Sequence, residues 1–166
     1  ELKENSVMEV TLAGGEPFLY KDIKKIINGI VENKMRFSFL TNGTIIDEEI
    51  AEYIASTKRC NFIQVSIDGH CNEIHNLSRG AFDDAVRGIK ILQKHGINVT
   101  VRVTINRYNF KYLNEIAEFL LEELKIPVIS TNSAGYIGLC THNSSKIQMN
   151  IEERGEAMQS MVNLSK

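Results

Sequence analysis

The chain has 166 residues, of which 43% are hydrophobic and 24% are charged. This length and composition predict one globular domain over residues 1–166 with a buried core. Nineteen basic and twenty-one acidic residues give a net charge of −2 without a basic block, so neither nucleic acid nor anionic lipid is an expected partner. No apolar run approaches the ~20 residues of a membrane span. No signal-peptide pattern opens the sequence, so a cytoplasmic location is expected.

Three cysteines, Cys60, Cys71 and Cys140, are widely and irregularly spaced. They form neither a CxxC metal pattern nor an even disulfide set, so we expect reduced structural thiols. His70, Cys71 and His75 lie close in sequence, but their spacing matches no zinc pattern. We therefore predict no metal ligand in this chain. The sequence begins without a methionine and almost at once with a strand, as expected of a piece of a longer protein.

Strands and helices alternate from the start of the chain. An apolar run predicts a first strand at about 7–13, and isoleucines at helical spacing from Ile23 onward predict the first helix. A second strand is predicted at about 36–41. Asp47 then precedes two glutamates, which predicts an N-cap and a second helix. Further strands are predicted at about 62–67, 98–105 and 126–131, and further helices at Phe82 to Leu92, Leu113 to Leu124 and 151–164.

Such alternation predicts parallel strands joined by right-handed crossovers, either in a barrel or in an open doubly wound sheet. Side chains alternate across a strand. In the strand at 98–105, one face carries Val99, Val101, Val103 and Ile105, and the other carries Thr100, Arg102 and Thr104. In the first strand, the apolar face carries Met8, Val10 and Leu12. A doubly wound sheet buries both faces, so an incomplete α/β barrel with a polar interior fits better.

Polar loops follow four of these strands. In a barrel of this type the carboxyl ends of the strands form the functional rim. The loops contain Gly14–Pro17, Thr41–Thr44, Ser66–Gly69, and Arg102 with Thr104. Backbone donors, carboxylates, hydroxyls and a guanidinium suit a ligand with a hydroxylated sugar, an amine and a carboxylate. Structural alternatives remain, because Asn-Gly and Asp-Gly are turn dipeptides and a buried Arg102 could pair with Glu16 or Asp68.

In order and spacing, these motifs resemble the core of the radical S-adenosylmethionine enzymes. The branch is similar to the peptide- and protein-modifying maturases, including those with a C-terminal auxiliary-cluster (SPASM-type) domain. The resemblance covers about residues 7–125. It rests on Leu12–Pro17, Leu40–Thr44, Gln64–Gly69, His75, Arg79-Gly80, Phe82 and Val101–Thr104.

The resemblance implies a partial (β/α)6 barrel similar to a TIM barrel, with about five βα units present and the first, cluster-bearing unit missing. It also implies roles for nine residues at the rim. The turn of Gly14, Gly15, Glu16 and Pro17 would receive the methionine amino group of S-adenosylmethionine. Ser66 with Asp68 would face the ribose, Arg102 would lie near the methionine carboxylate, and Thr41 and Asn42 would line the same side.

The sequence departs from the family in one respect. Family members hold a 4Fe-4S cluster with three cysteines, usually CxxxCxxC, after the first strand, and this sequence lacks that motif. The resemblance therefore predicts a central fragment, inactive alone, of a parent enzyme whose cluster cysteines precede Glu1. The parent would cleave S-adenosylmethionine to a 5′-deoxyadenosyl radical and abstract hydrogen from a peptide or protein substrate. Its electron donor would be a protein such as a flavodoxin or ferredoxin.

Two other functions compete with this prediction. A barrel aldolase or isomerase could bind phosphate at Gly14-Gly15 and a helix N-terminus. It would need a lysine or an acid–base pair on the rim, and no lysine lies on the inner face of a predicted strand. A non-catalytic scaffold that has lost its cluster would lack the upstream cysteines, which distinguishes it from a radical enzyme.

Overall fold

The computed structural model describes residues 4–134 and 144–164, so Cys140 lies outside the described residues. The strands are β1 (Glu9–Leu12), β2 (Arg36–Thr41), β3 (Cys60–Ser66), β4 (Val99–Ile105) and β5 (Ile129–Ser133). The α-helices are α1 (Ile23–Glu32), α2 (Glu48–Thr57), α3 (Asn72–His75), α4 (Phe82–Lys94), α5 (Leu113–Glu118), α6 (Ser144–Ile147) and α7 (Ile151–Leu164). Short 3-10 helices span Pro17–Leu19 and Phe110–Tyr112, and a π-helical turn spans Phe119–Glu123.

The five strands follow one another in the sheet in chain order, β1-β2-β3-β4-β5. The pairs β1–β2, β2–β3 and β4–β5 are parallel. Leu12 lies opposite Phe39 in the first of these pairs, and Val101 lies opposite Ile129 in the last. Each crossover contains a helix, as parallel pairing requires. The predicted α/β class with parallel strands is confirmed.

The contacts divide the chain into two compact units. The first contains Glu1–Ser66 and Asp84–Thr100, and the second contains Ile67–Asp83 and Val101–Lys166. The prediction of a single domain stays a prediction.

The first unit has its core between β2, β3 and their helices. The side chains of this core are fully buried, with 0% of their surface exposed; they include Ile27, Phe37, Phe39, Ile54, Ile63, Val65, Ile89 and Leu92. Residues of α1 at helical spacing, Ile23, Ile27 and Ile30, face inward, while Ile26 is exposed. The apolar stripe predicted for α1 is therefore correct at these three positions and wrong at Ile26.

The second unit builds its core around the carboxyl half of β4. A cluster of buried side chains joins this strand to α5 and α7, and comprises Ile105, Phe110, Leu113, Met149 and Ala157, with Met161 packed against it. The alternating faces of β4 follow the prediction: Val101 and Val103 are buried, and Arg102 and Thr104 are half-buried. The apolar face of the strand carries the packing, and on the polar face Arg102 and Thr104 stay partly exposed while Thr100 is buried.

At each end of the sheet a strand differs from its predicted bounds. At the start of the chain Met8 precedes β1 and is 82% exposed, so it does not extend the apolar face of Val10 and Leu12 as predicted. β1 is the first strand of the sheet and pairs with β2 alone among the described strands, which leaves its apolar residues half-covered.

The second difference lies before β5, which begins at Ile129 rather than near residue 126. The N–H of Ile126 still donates to the Leu120 carbonyl at 2.9 Å, and Lys125 has a positive φ of 53°. Pro127 has no N–H to donate to a ladder. The chain is therefore still hydrogen-bonded to the preceding helix at Ile126, and β5 begins after Pro127.

Candidate functional site

The turn after β1 leaves open space above its glycines. Gly14 has φ of 149°, outside the range that L side chains adopt readily. Gly15 has no such requirement, and a Cβ built on it would meet no atom within 4 Å. No protein contact among the described residues therefore requires a glycine at position 15. The space beside its backbone is available to a ligand.

The next residue, Glu16, is bound on both carboxylate oxygens within the first unit. Its Oε1 accepts from the Thr41 hydroxyl at 2.7 Å and from the Phe18 N–H at 3.3 Å. Its Oε2 accepts from the Asn42 N–H at 2.8 Å. Pro17 starts the 3-10 helix that Glu16 caps. The carboxylate thus joins the turn after β1 to the carboxyl end of β2.

The loop after β2 uses its own polar side chains to hold its shape. The Gly43 N–H donates to the Thr41 hydroxyl at 3.0 Å, and the Asn42 Oδ1 accepts from the N–H of Thr44 at 2.9 Å. Gly43 has φ of 77°, and its carbonyl lies where a Cβ on Gly88 of α4 would come within 2.1 Å. Thr41 and Asn42, predicted to line the cofactor site, thus have side chains that bind within this loop and to Glu16.

Ser66 and Arg102 have fewer partners. Ser66, the last residue of β3, is half-buried, and its hydroxyl has no hydrogen bond to the described residues. Arg102 in β4 is half-buried, and within the described part of the chain its guanidinium forms one hydrogen bond, from Nε to the Ser130 hydroxyl at 3.4 Å. Both side chains are available to bind a ligand.

Asp68 lies in the second unit and is almost wholly enclosed. Its Oδ2 accepts from the Arg79 Nε at 2.6 Å, and its Oδ1 accepts from the Thr104 N–H at 2.7 Å. The Asn109 side chain donates to the Asp68 carbonyl at 2.9 Å and to the Thr104 carbonyl at 3.0 Å. Burial raises the pKa of the Asp68 carboxyl above its usual range, against the lowering effect of Arg79. This carboxylate therefore ties the loop after β3 to the end of β4.

His75 closes the same loop from inside. Its Nδ1 accepts from the Asp68 N–H at 3.1 Å. A Cβ on Gly69 would come within 2.4 Å of the His75 N, which explains a glycine there. Burial, and then the charge of Arg79, lower the pKa of His75 to about 4. The ring is neutral at pH 7 and acts as a structural bridge.

Sequence reasoning named His75 and Arg79 as parts of a motif but gave neither a role. The sequence pattern assigns no role to Asn109, which the structure buries against Asp68 and Thr104. The sequence contains one indication of the role of Arg79: it follows Asp68 by eleven residues, and the structure pairs the two side chains. A buried carboxylate needs such a partner.

The described cysteines do not fit an iron–sulfur site. Cys60 stands at the start of β3, at the strand end opposite to Ser66, and burial raises the pKa of its thiol to about 12. Cys60 and Cys71 are both free. Within residues 4–134 and 144–164, no group of three or more His, Cys, Asp or Glu could hold a metal ion. In the same residues no helix is long and apolar enough to cross a membrane.

Comparison with curated proteins gives three informative relatives. Fe-coproporphyrin III synthase of Methanosarcina barkeri is 37% identical over 131 residues, covering 78% of this chain and 32% of that protein. Mycofactocin maturase MftC of Mycobacterium tuberculosis is 33% identical over 120 residues, covering 70% of this chain and 30% of that protein. The subtilosin biosynthesis protein AlbA of Bacillus subtilis is 28% identical, with 70% and 27% covered. The chain thus spans about a third of the length of these relatives.

Solved structures give the same fold. The protein anSMEcpe, solved with bound AdoMet, superposes with a TM-score of 0.79 at 17% identity, covering 98% of this chain and 47% of that one. Streptococcus suis SuiB, solved with its precursor peptide SuiA, superposes with a TM-score of 0.79 at 18% identity, covering 98% and 36%. This likeness supports the fold class predicted from the sequence.

A family model decides the assignment. The model of the Radical SAM superfamily matches residues 1–120, which is more than half of the chain. The matched segment includes the turn at Gly14–Pro17, the loop after β2, Asp68 and Arg102. This protein therefore belongs to the Radical SAM superfamily.

Proposed function

We propose that the whole protein is an enzyme that cleaves S-adenosylmethionine reductively and abstracts hydrogen from a peptide or protein substrate. Superfamily membership supports the chemistry. The observation that carries the cofactor assignment is Gly15, whose Cβ position is open although no described contact needs a glycine there. Peptide-modifying relatives, MftC and AlbA, support the substrate class.

Three residues of the first unit, Gly14, Gly15 and Ser66, fit parts of S-adenosylmethionine. The backbone at Gly14 and Gly15 is unobstructed and would receive the methionine amino group. The Ser66 hydroxyl, which no described residue binds, would take a ribose hydroxyl. In the second unit, Arg102 by itself keeps guanidinium donors that suit a carboxylate, because its one described bond is the long contact to Ser130. When bound, this cofactor supplies the 5′-deoxyadenosyl radical.

Glu16, Thr41, Asn42 and Asp68 have a different part in this proposal. Each of these four residues hydrogen-bonds other protein groups, in its own loop or in another segment of its unit. We assign them to holding the loop backbones in position, together with Pro17, whose ring stiffens the first turn. Preorganised loops spare the cofactor the entropy of ordering its own site.

The iron–sulfur cluster cannot be assigned to this sequence. The three cysteines of this chain lack the family spacing, and the two that the structure describes, Cys60 and Cys71, do not form a metal site. We propose that a CxxxCxxC motif elsewhere in the whole protein holds the 4Fe-4S cluster. A flavodoxin or ferredoxin would supply the electron.

The test is to isolate the whole protein without oxygen, reconstitute it with iron and sulfide, and add dithionite and S-adenosylmethionine. We expect 5′-deoxyadenosine to form at a rate that falls when Arg102 is changed to Ala. Absence of both 5′-deoxyadenosine and cofactor binding in a fully reconstituted protein would instead favour the non-catalytic scaffold.

A second substrate class has its own support. The relative with 37% identity is named Fe-coproporphyrin III synthase, and another, 31% identical, is an AdoMet-dependent heme synthase of Oleidesulfovibrio alaskensis. The alternative substrate is therefore an iron tetrapyrrole. Formation of 5′-deoxyadenosine that rises with added iron tetrapyrroles, and not with peptides encoded beside the gene, would select it.

A further inference from the structure

The Glu16 carboxylate accepts three hydrogen bonds from protein groups. A carboxylate offers about four acceptor positions. Three are filled, by the Thr41 hydroxyl, the Asn42 N–H and the Phe18 N–H. Two of these donors come from the end of β2, twenty-five or more residues away in sequence. The carboxylate is therefore a cross-link between two loops rather than a free anionic group.

The segment that precedes Glu16 depends on this cross-link. Among the described residues, neither Gly14 nor Gly15 donates a backbone hydrogen bond, and neither has a side chain to pack. On the other side of Glu16 the chain has a separate anchor, because the Phe18 ring stacks on Phe39 with centroids 4.5 Å apart. Loss of the carboxylate would thus free the glycines while leaving the 3-10 helix attached.

Thr41 carries the connection further. Its hydroxyl donates to Glu16 and accepts from the Gly43 N–H, so one hydroxyl orders both loops. Thr41 is 5% exposed, so water cannot readily replace it. Gly43 is fixed in turn by the close approach of Gly88. Hydrogen bonds through Glu16 and Thr41 therefore attach the Gly14-Gly15 turn to a closely packed part of the first unit.

We infer that Glu16 is a positioning residue, which acts with Thr41 to hold the Gly14-Gly15 backbone where the cofactor binds and does not itself touch the cofactor. This inference rests on the proposed function. The glycines and the glutamate of the Gly14–Pro17 motif then have different roles. The glycines supply the surface for the ligand, and the glutamate determines where that surface lies.

A double-mutant cycle on cofactor affinity tests the inference. In the whole protein we would measure the Kd for S-adenosylmethionine and the thermal midpoint for E16A, T41V and E16A/T41V. If Glu16 acts through Thr41, T41V weakens binding by about tenfold, the size of one hydrogen bond to a charged group. The double variant then binds about as weakly as E16A, because the second change has nothing left to remove. E16Q, which keeps one acceptor oxygen, recovers part of the loss.

Controls separate the possible failures. E49Q alters an exposed carboxylate of the same unit that pairs with Lys24, and should leave the Kd unchanged. Wild-type Kd in T41V, or additive losses in the double variant, would overturn the positioning role and indicate direct contact between Glu16 and the cofactor. If wild-type protein itself fails to bind S-adenosylmethionine, the proposed function falls, and the inference with it.

Discussion

In the described part of the chain, Gly15 has neither of the two usual structural reasons for a glycine. A glycine is usually explained by a positive φ or by a neighbour that excludes Cβ. Gly43 and Gly69 have such reasons, and Gly15 has neither within the described residues. Gly29 and Gly155 also lack both reasons but lie inside helices, whereas Gly15 lies in a turn, where we propose that a bound molecule approaches the backbone.

We predict that G15A folds normally and binds S-adenosylmethionine at least about tenfold more weakly, because an added methyl would overpack the ligand contact by more than about 1 kcal/mol. Titration calorimetry and thermal unfolding of the whole protein measure the two quantities. G29A is the matched control, since Gly29 lies in α1 with open space around it and alanine favours a helix. Equal affinities for wild type and G15A would remove the argument from open space.

His75 leads to a prediction about pH. Its pKa is about 4 in the folded protein and about 6.5 in an unfolded chain, so folding favours the neutral ring. The stabilisation is complete above pH 6.5 and is lost as the pH falls from 6.5 toward 4. We expect this loss to be on the order of 2 kcal/mol after allowance for solvent screening. Denaturant titrations of wild type and H75Q should differ in slope across that window, and parallel profiles would contradict the bridging role.

At the scale of the element, helix ends and close contacts decide the geometry of the loops. Asp47 caps α2 as predicted, accepting from the Ile50 N–H at 2.8 Å. The contact of α4 with the loop after β2 is of another kind. This contact depends on two glycines far apart in sequence, Gly43 and Gly88, and no local sequence pattern predicts it.

We predict that G88A destabilises the protein although alanine is the better helix former. The propensity gain is about 1 kcal/mol. A methyl group 2.1 Å from the Gly43 carbonyl must push helix and loop apart, which costs roughly 1–3 kcal/mol or more. Thermal unfolding should show a lower midpoint for G88A and a higher one for G155A, whose site in α7 is open. An unchanged midpoint for G88A would mean that α4 can shift freely.

At the scale of the whole molecule, this chain matches the superfamily over residues 1–120 without a cysteine set of the family spacing. We predict that the 166-residue chain, supplied anaerobically with iron and sulfide, forms no stoichiometric four-iron cluster. Iron and sulfide analysis with electron paramagnetic resonance measures this. A stable cluster that disappears in C60S or C71S would overturn the assignment.

The sequence by itself determined the alternation of strands and helices, the parallel α/β class, the N-cap at Asp47 and the family. These depend on periodicity, turn chemistry and short motifs, which are local along the chain. Exact strand bounds were less accessible, since Pro127 and the helix end before it delayed β5 to Ile129. The functions of the two carboxylates were decided by the tertiary structure alone. Glu16 meets Thr41, and Asp68 meets Arg79 and Thr104, only because folding brings separate loops together. A hydrogen bond acts over about 3 Å, so the sequence could name the acids while the fold selected their partners.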